Sequence, residues 1–211
     1  MIYLFRNPEP DEFIVIGADP AEGHDNSVFV AISKSKGDVV MLSQSKEESS
    51  QLGHTLNHTG KWINKQTGMY PCIAVERNVG SASLYVLKTL NYPNLFRMPD
   101  SYTKTLEAQT ENYGWVTSSA TRPKMLDDLA MAVRQRAIII PSKQIVDEMF
   151  TFIREAKTGK AQADVGCHDD LVMAMAIAWQ VYSTAETPMS DEEIDRYQPT
   201  DEDKRKFRIG I

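Results

Sequence analysis

The sequence predicts an α/β fold in which helices flank a mixed sheet, and two observations support this prediction. Apolar runs of strand length occupy residues 13–18, 27–33 and 38–45, and short connections join them. Three such runs in succession predict an antiparallel meander. Beyond residue 48, helical and strand patterns alternate, which favours parallel strands added to the same sheet.

The elements after the meander are predicted from their spacing and from the residues at their ends. In chain order they are a helix at 49–65, a strand at 72–76, a helix at 80–90, a strand at 95–98, an amphipathic helix at 122–136, a strand at 137–140, a helix at 145–153, a strand–turn–strand finger at 154–163 and a last core helix at 169–182. Prolines and mixed charge indicate a linker at residues 1–12, and charge segregation indicates a polar tail at 184–211. One domain is therefore predicted at residues 13–183.

The composition excludes several classes of protein. The chain has 211 residues, of which 42% are hydrophobic and 25% charged, as in an ordinary globular domain. No apolar run approaches the roughly 20 residues of a membrane span, and the N-terminus does not match a secretion signal. Cys72 and Cys167 lie far apart and outside any CxxC pair, which argues against a disulfide framework or a zinc ribbon. We expect an intracellular protein.

The net charge of −6, taken alone, argues against nucleic acid as a partner. Its distribution weakens that objection, because eight acids and one base lie within residues 186–203. The first 183 residues carry 21 acidic and 18 basic side chains and are close to balanced. Nucleic acid therefore stays a possible partner of the domain.

Acidic residues stand at the ends of several predicted apolar elements. Asp19 follows the first strand of the meander, and Glu76 ends the strand at 72–76. Asp169 and Asp170 open the last helix, where free backbone N–H groups and the helix dipole favour negative charge. Each has an ordinary structural alternative: a turn before a proline for Asp19, a salt bridge for Glu76 and a helix cap for Asp169.

The combination of these acids favours a metal site over the separate alternatives. Several carboxylates in one partly buried place repel one another, and a divalent cation is the usual remedy. Oxygen ligands alone favour Mg²⁺ or Mn²⁺ over zinc. Two such ions about 4 Å apart can activate water and stabilise the leaving oxygen of a phosphodiester. The residues therefore predict a metal-dependent nuclease with Asp19, Glu76, Asp169 and Asp170 as its catalytic and metal-binding side chains.

Four segments in this order resemble the C-terminal nuclease domain of the large terminase subunit of tailed bacteriophages. They are GADPAEGHDNS at 17–27, AVERN at 74–78, YGWVTSSATRPKMLDDL at 113–129 and GCHDDLVMAMAIA at 166–178. The resemblance spans about residues 13–182 and implies an RNase H-like fold. It also implies double-strand cutting of concatemeric viral DNA during genome packaging, with two divalent ions. No base-reading motif is visible in the sequence, so we expect cutting with little sequence specificity.

The resemblance also implies ligands and partners. It places metal ligands at Asp19, Glu76 and the pair Asp169–Asp170, and it adds Asp25 as a second-metal or water-mediated ligand. The implied partners are double-stranded DNA, a terminase ATPase domain, the portal and the small terminase subunit, in the cytoplasm of the host cell. The chain has no GxxxxGK[ST] loop of an ATPase, so either an excised domain or a reduced protein fits the sequence.

Basic residues near these segments are candidate contacts to DNA phosphates. They are Arg77, Lys104, Arg122, Lys124, Lys157 and Lys160. Each can also be an ordinary surface charge. His168 can orient a carboxylate or a phosphate, or it can be a histidine that only makes hydrogen bonds within the loop before the last helix. Three other functions stay open: a Holliday-junction resolvase or recombination nuclease of the same fold, a non-catalytic DNA-binding or assembly module, and an actin-like ATP-binding protein.

Overall fold

The computed structural model describes residues 1–21, 26–98, 112–154 and 161–185. Four predicted site residues lie outside these ranges: Asp25, Lys104, Lys157 and Lys160. Most of the predicted tail, residues 186–211, also lies outside them. None of the helices in the described ranges has the length and apolarity that a membrane crossing requires. The domain boundaries at residues 13 and 183 stay predictions.

A five-stranded mixed sheet forms the centre of the fold. Its strands are β1 (Ile2–Leu4), β2 (Ile14–Asp19), β3 (Ser27–Ser33), β4 (Asp38–Ser45) and β5 (Cys72–Val75). The order across the sheet is β1-β4-β3-β2-β5, in which β2, β3 and β4 form an antiparallel meander. Strand β5 pairs with β2 in the parallel direction. The predicted mixed sheet flanked by helices is therefore confirmed.

Helices cover both faces of this sheet. They are α1 (Ser49–Thr67), α2 (Ser81–Thr89), α3 (Thr121–Arg134), α4 (Lys143–Thr151) and α5 (Asp170–Thr184). Side chains that alternate along the strands enter different cores: Val15 faces α3, α4 and α5, whereas Ile16 faces α1 and α2. Both faces of the central strands are buried, which explains why their sequences are continuous apolar runs.

Helix α5 lies unusually close to β2. A Cβ atom at Gly17 would stand 2.2 Å from the carbonyl oxygen of Ala174 and 2.3 Å from the nitrogen of Ala178. The strand has no side chain at this point, and the helix presents alanines, so the two backbones can approach each other. This contact fixes the start of α5 relative to the end of β2.

The N-terminal segment, predicted as a linker, is bound to the sheet. Strand β1 pairs with β4 and adds an antiparallel edge strand. Arg6 then donates to Asp38 from Nε at 2.6 Å and to Glu12 from Nη1 at 2.9 Å. Burial raises the pKa of Glu12, but the hydrogen bonds from Arg6 and Ser33 outweigh it and lower the pKa to about 2.

Two predicted strands are wrong as continuous elements. Residues 95–98 form only isolated bridges, in which Leu95 pairs with Ile73 and Arg97 with Tyr113. Residues 137–140 form a single bridge from Ile139 to the start of β4, and Pro141, which has no N–H, follows them. Both segments are apolar enough for strands, but neither has a neighbour along its whole length.

Both strands of the predicted strand–turn–strand finger are present, and the first strand begins two residues earlier than predicted. Strands β6 (Phe152–Arg154) and β7 (Ala161–Ala163) pair in the antiparallel direction as a separate two-stranded sheet. The predicted turn between them lies outside the described residues. The predicted helices agree with α1 to α5 to within a few residues at each end.

Candidate active site

The first two predicted acids meet at the carboxyl edge of the sheet. Asp19 is the last residue of β2, and Glu76 directly follows β5. Because these strands are parallel neighbours, with Ala18 opposite Val75, they end side by side. The backbone N–H of Glu76 donates to the carbonyl oxygen of Ala18 at 2.8 Å. The two carboxyl groups lie close together: after burial, the charge of Glu76 is the main cause that raises the pKa of Asp19.

The start of α5 brings the other two acids to the same place. Helix α5 packs across β2 and β3, with Asp169 as its N-cap and Asp170 as its first residue. The pKa of Asp19 is raised well above its ordinary value, first by burial and then by the negative charges of Glu76, Asp170 and Asp169. The four described acids that the sequence predicted therefore share one electrostatic environment.

Asp169 does not act as the helix cap that its position suggests. Its carboxylate makes no capping hydrogen bond to α5. It accepts instead from Nη2 of Arg122 on α3, at 3.0 Å. The same guanidinium donates to the carbonyl oxygen of Ala161 in β7, at 3.3 Å. Arg122, predicted as a DNA contact, is therefore the counter-ion of Asp169 in this structure.

Glu148 is a fifth acid at the site, and the sequence reasoning missed it. From α4, its Oε2 accepts from the backbone N–H of Leu171 at 2.9 Å and of Val172 at 3.2 Å. Burial raises its pKa to about 7; Asp170 and Asp169 also raise it, and the two N–H groups oppose the shift. The sequence gives little indication of this role, because Asp147 and Glu148 are neighbouring acids in the same predicted helix and nothing local distinguishes them.

His168 lies at the solvent side of the acids. Its side chain is 58% exposed, and its Nδ1 stands 3.8 Å from Oδ2 of Asp170. That separation is too long for a hydrogen bond, and the pair is ionic only when the imidazole is protonated. In this geometry His168 can approach a bound anion from solvent, but it does not orient Asp170.

Comparison with known proteins shows that the chain is similar to terminase large subunits. No protein-family model matches the chain. Over 179 residues it is 27% identical to the terminase large subunits of Thermus virus P23-45 and Thermus phage G20c, covering 82% of this chain and 32% of each relative. The chain thus spans about a third of the length of these relatives.

Solved structures give the same relationship. The large terminase nuclease from the thermophilic phage G20c superposes with a TM-score of 0.66 at 24% identity, covering 88% of this chain and 89% of that one. The human cytomegalovirus terminase nuclease domain superposes with a TM-score of 0.54 at 10% identity, covering 92% and 94%. The resemblance to terminase nuclease domains is confirmed. The RNase H-like fold of those domains is also the fold of this chain.

The acids of this terminase-like domain fit a divalent cation in their chemistry. They offer only oxygen atoms, and they converge from two strand ends and a helix start. Burial, and then the charges of the neighbouring acids, raise the pKa of Asp19. In the described part of the chain, no three His, Cys, Asp or Glu side chains are already assembled around an ion position. Arg122 takes up an oxygen of Asp169 that a cation would use.

A basic and aromatic groove lies beside Glu76. It is a cavity of about 560 Å³ lined in part by Arg77, Lys88 and Tyr113. The Lys88 Nζ atom stands 4.7 Å, and the Arg97 Cζ atom 4.4 Å, from the centroid of the Tyr113 ring. Arg97 also donates to the Tyr113 hydroxyl. Of these cations, sequence reasoning found only Arg77, because Lys88 and Arg97 belong to no motif and meet only through the fold.

The remaining described candidate for a DNA contact is Lys124. It is 55% exposed on α3 and pairs at 2.5 Å with Asp128, four residues further along the helix. Its role toward DNA stays a prediction, as do the assignments of the individual metal ligands.

Proposed function

We propose that this chain is a metal-dependent endonuclease that cuts double-stranded viral DNA during genome packaging. The observation that carries this proposal is the convergence of four carboxylates from three sequence-distant places, namely the ends of β2 and β5 and the start of α5. A fold that needed only stability would gain from replacing such a repulsive cluster. In this proposal, DNA is the substrate because the chain is similar to terminases.

The cofactor in this proposal is a pair of Mg²⁺ or Mn²⁺ ions. Related structures were obtained with a metal: the G20c nuclease with bound magnesium, at a TM-score of 0.59 and 22% identity, and the cytomegalovirus domain after a manganese soak. In this chain Asp19, Glu76, Asp169 and Asp170 would hold the ions, with Asp25 as a further ligand. The ions would supply an activated water nucleophile and stabilise the leaving oxygen.

The residues of the chain have separate tasks in this proposal. Asp19, whose pKa is raised, would lose its proton when a cation binds, so that its carboxylate and that of Glu76 would both be ligands. Arg122 moves from Asp169 toward the phosphate, where a guanidinium can bind two oxygens at once. The sequence shows no base-reading motif, so we expect cutting with little sequence specificity.

We place the DNA backbone along the groove lined by Arg77 and Lys88, beside which Arg97 lies over the Tyr113 ring. Each phosphate contact that is removed should lower the slope of log affinity against log salt by about one unit. The double variant Lys88→Ala, Arg97→Ala should therefore lose about two units of slope and bind a DNA duplex more weakly. Lys143→Ala, on an exposed side chain of α4, is the control. A double variant with the slope of the wild-type protein would remove the groove from the DNA path.

Cleavage of a plasmid in Mn²⁺ tests the catalytic assignment. Asp19→Ala, Glu76→Ala and Asp169→Ala should each abolish cutting and retain a cooperative thermal transition. The matched control is Asp147→Ala, which removes an exposed carboxylate paired only with Lys143 among the contacts described. If the three site variants cut like the control, the assignment fails. Preference for a four-way junction over a duplex would favour the resolvase, and a wild-type protein that neither binds Mn²⁺ nor cuts would favour the non-catalytic module.

The wider setting belongs to the same proposal. Because the chain spans about a third of its relatives, we assign it the nuclease part of a packaging motor. A terminase ATPase domain, the portal and the small terminase subunit would then be its partners, and the host cytoplasm its location.

A further inference from the structure

The start of α5 is capped in an unusual way. The first N–H groups of a helix have no partner within the helix, and an aspartate at the N-cap position normally accepts one of them. Asp169 occupies that position but makes no capping hydrogen bond. The N–H groups of Leu171 and Val172 donate instead to one oxygen of Glu148, which belongs to the neighbouring helix α4.

We propose that Glu148 is a positioning residue for the metal site. By capping α5 from outside, it leaves the Asp169 carboxylate free of its own helix and available to a cation. A carboxylate of Asp169 that capped α5 would have to turn toward the N–H groups that Glu148 now occupies. This inference rests on the proposed function, since it assigns a task to a residue that supports the same site.

The packing of α4 holds Glu148 in this place. Ser142 caps α4, accepting from the N–H of Ile145 at 3.2 Å. Ile145 is fully buried, so it fixes the rotation of α4 about its axis. Glu148 is three residues further along and lies on the same face of the helix as Ile145. That face is directed at α5, whereas Asp147 is directed at solvent.

The electrostatics argue that this arrangement has a function beyond capping. A carboxylate at this point lies close to Asp170 and Asp169, and both of them disfavour its charge. Asp169 could cap the helix alone without adding another acid to the cluster. The fold instead accepts an additional repulsive group, which is understandable if Asp169 is needed elsewhere.

The test is a Mn²⁺ titration of the full chain, followed by the melting temperature and by calorimetry. The variants are Glu148→Ala, Glu148→Gln and the control Asp147→Ala. In Glu148→Ala, Asp169 can turn to cap its own helix, and the Mn²⁺ midpoint should rise about tenfold or more, as for other residues that orient ligands. In Glu148→Gln, the side-chain oxygen still accepts both N–H groups, so the midpoint should stay near that of the wild-type protein.

The outcomes separate the alternatives. If Glu148→Ala lowers the metal-free melting temperature but leaves the midpoint unchanged, Glu148 is only structural and the inference is wrong. If Glu148→Gln raises the midpoint about tenfold over that of the wild-type protein, Glu148 is itself a ligand and the inference is also wrong. This comparison needs only the glutamine variant, so it holds even if the alanine variant does not fold. A wild-type chain that binds no Mn²⁺ overturns the proposed function and this inference with it, whereas an altered midpoint only in Glu148→Ala supports both.

Discussion

Replacing Gly17 by alanine should separate α5 from the sheet. The added Cβ would stand 2.2 Å from the carbonyl oxygen of Ala174 and 2.3 Å from the nitrogen of Ala178, whereas ordinary contacts begin at 3.4 Å. Both obstacles are backbone atoms of a buried helix, so no side chain can turn aside. The strand and the helix must therefore move apart by about 1 Å, and interiors packed as densely as crystals resist such a shift.

The expected loss of stability follows from this clash. Adding a methyl group to a filled core costs typically about 1–3 kcal/mol, and backbone obstacles place Gly17→Ala at the upper end, about 3 kcal/mol or more. For a domain of this size that loss lowers the melting temperature by about 6–12 °C. The start of α5 would also move relative to Asp19, so we expect weaker Mn²⁺ binding as well.

Urea unfolding and a Mn²⁺ titration measure the two effects. The control is Gly68→Ala at the end of α1, where φ is +81° and no atom lies within 4 Å of the new Cβ. It should cost only the left-handed strain, about 1–2 kcal/mol, and leave Mn²⁺ binding unchanged. If Gly17→Ala were as stable as the control and bound Mn²⁺ equally well, the close helix–strand contact would not be what places the acids.

Three further predictions concern charge and chain length. Asp19→Asn should raise the melting temperature of the metal-free protein at pH 7. The pKa of Asp19 is raised in the folded protein, so this carboxyl group destabilises the fold once the pH exceeds its pKa in the unfolded chain. The variant should also give a flat Mn²⁺ titration in the same thermal assay, and a lower metal-free melting temperature would contradict the reasoning. The ion pair of Arg6 and Glu12 should contribute about 2 kcal/mol to the free energy of unfolding above pH 4.5, and this contribution should be lost as the pH falls toward 2. In urea unfolding, Glu12→Gln should therefore be less stable than the wild-type protein at pH 7, and its stability should depend less on acid pH. Deleting residues 186–211 should leave plasmid cutting and the thermal transition in place, because every proposed ligand precedes that segment.

The parts of the site that the sequence predicts depend on local pattern. Asp19 and Glu76 each end an apolar run, and an apolar run of that length predicts a buried strand whose end lies at the edge of a sheet. The HDD segment precedes a helix that is apolar on every side, and such a helix must lie on the sheet. Convergence follows from these facts without knowledge of any contact, because parallel neighbours end at the same edge.

The parts that the sequence does not predict depend on contacts between distant elements. Glu148 becomes a cap only because α4 docks against the start of α5, and nothing local distinguishes it from Asp147. Lys88 and Arg97 meet at one tyrosine ring because isolated bridges, not a strand, bring residue 97 beside residue 113. The edge strand β1 lies within the segment predicted as a linker, and its three residues are too few to show a strand pattern.

The fold lowers the repulsion among its own acids, and this bears on how the site works. Burial and the neighbouring charges raise the pKa of Asp19 and so disfavour its charged form, Arg122 balances Asp169, and Glu148 accepts from two N–H groups at the start of α5. A cation at the site would displace the guanidinium from Asp169 and would favour the ionised carboxylate of Asp19. The cost of gathering the acids therefore lies in the stability of the metal-free protein, where the Asp19→Asn variant can measure it.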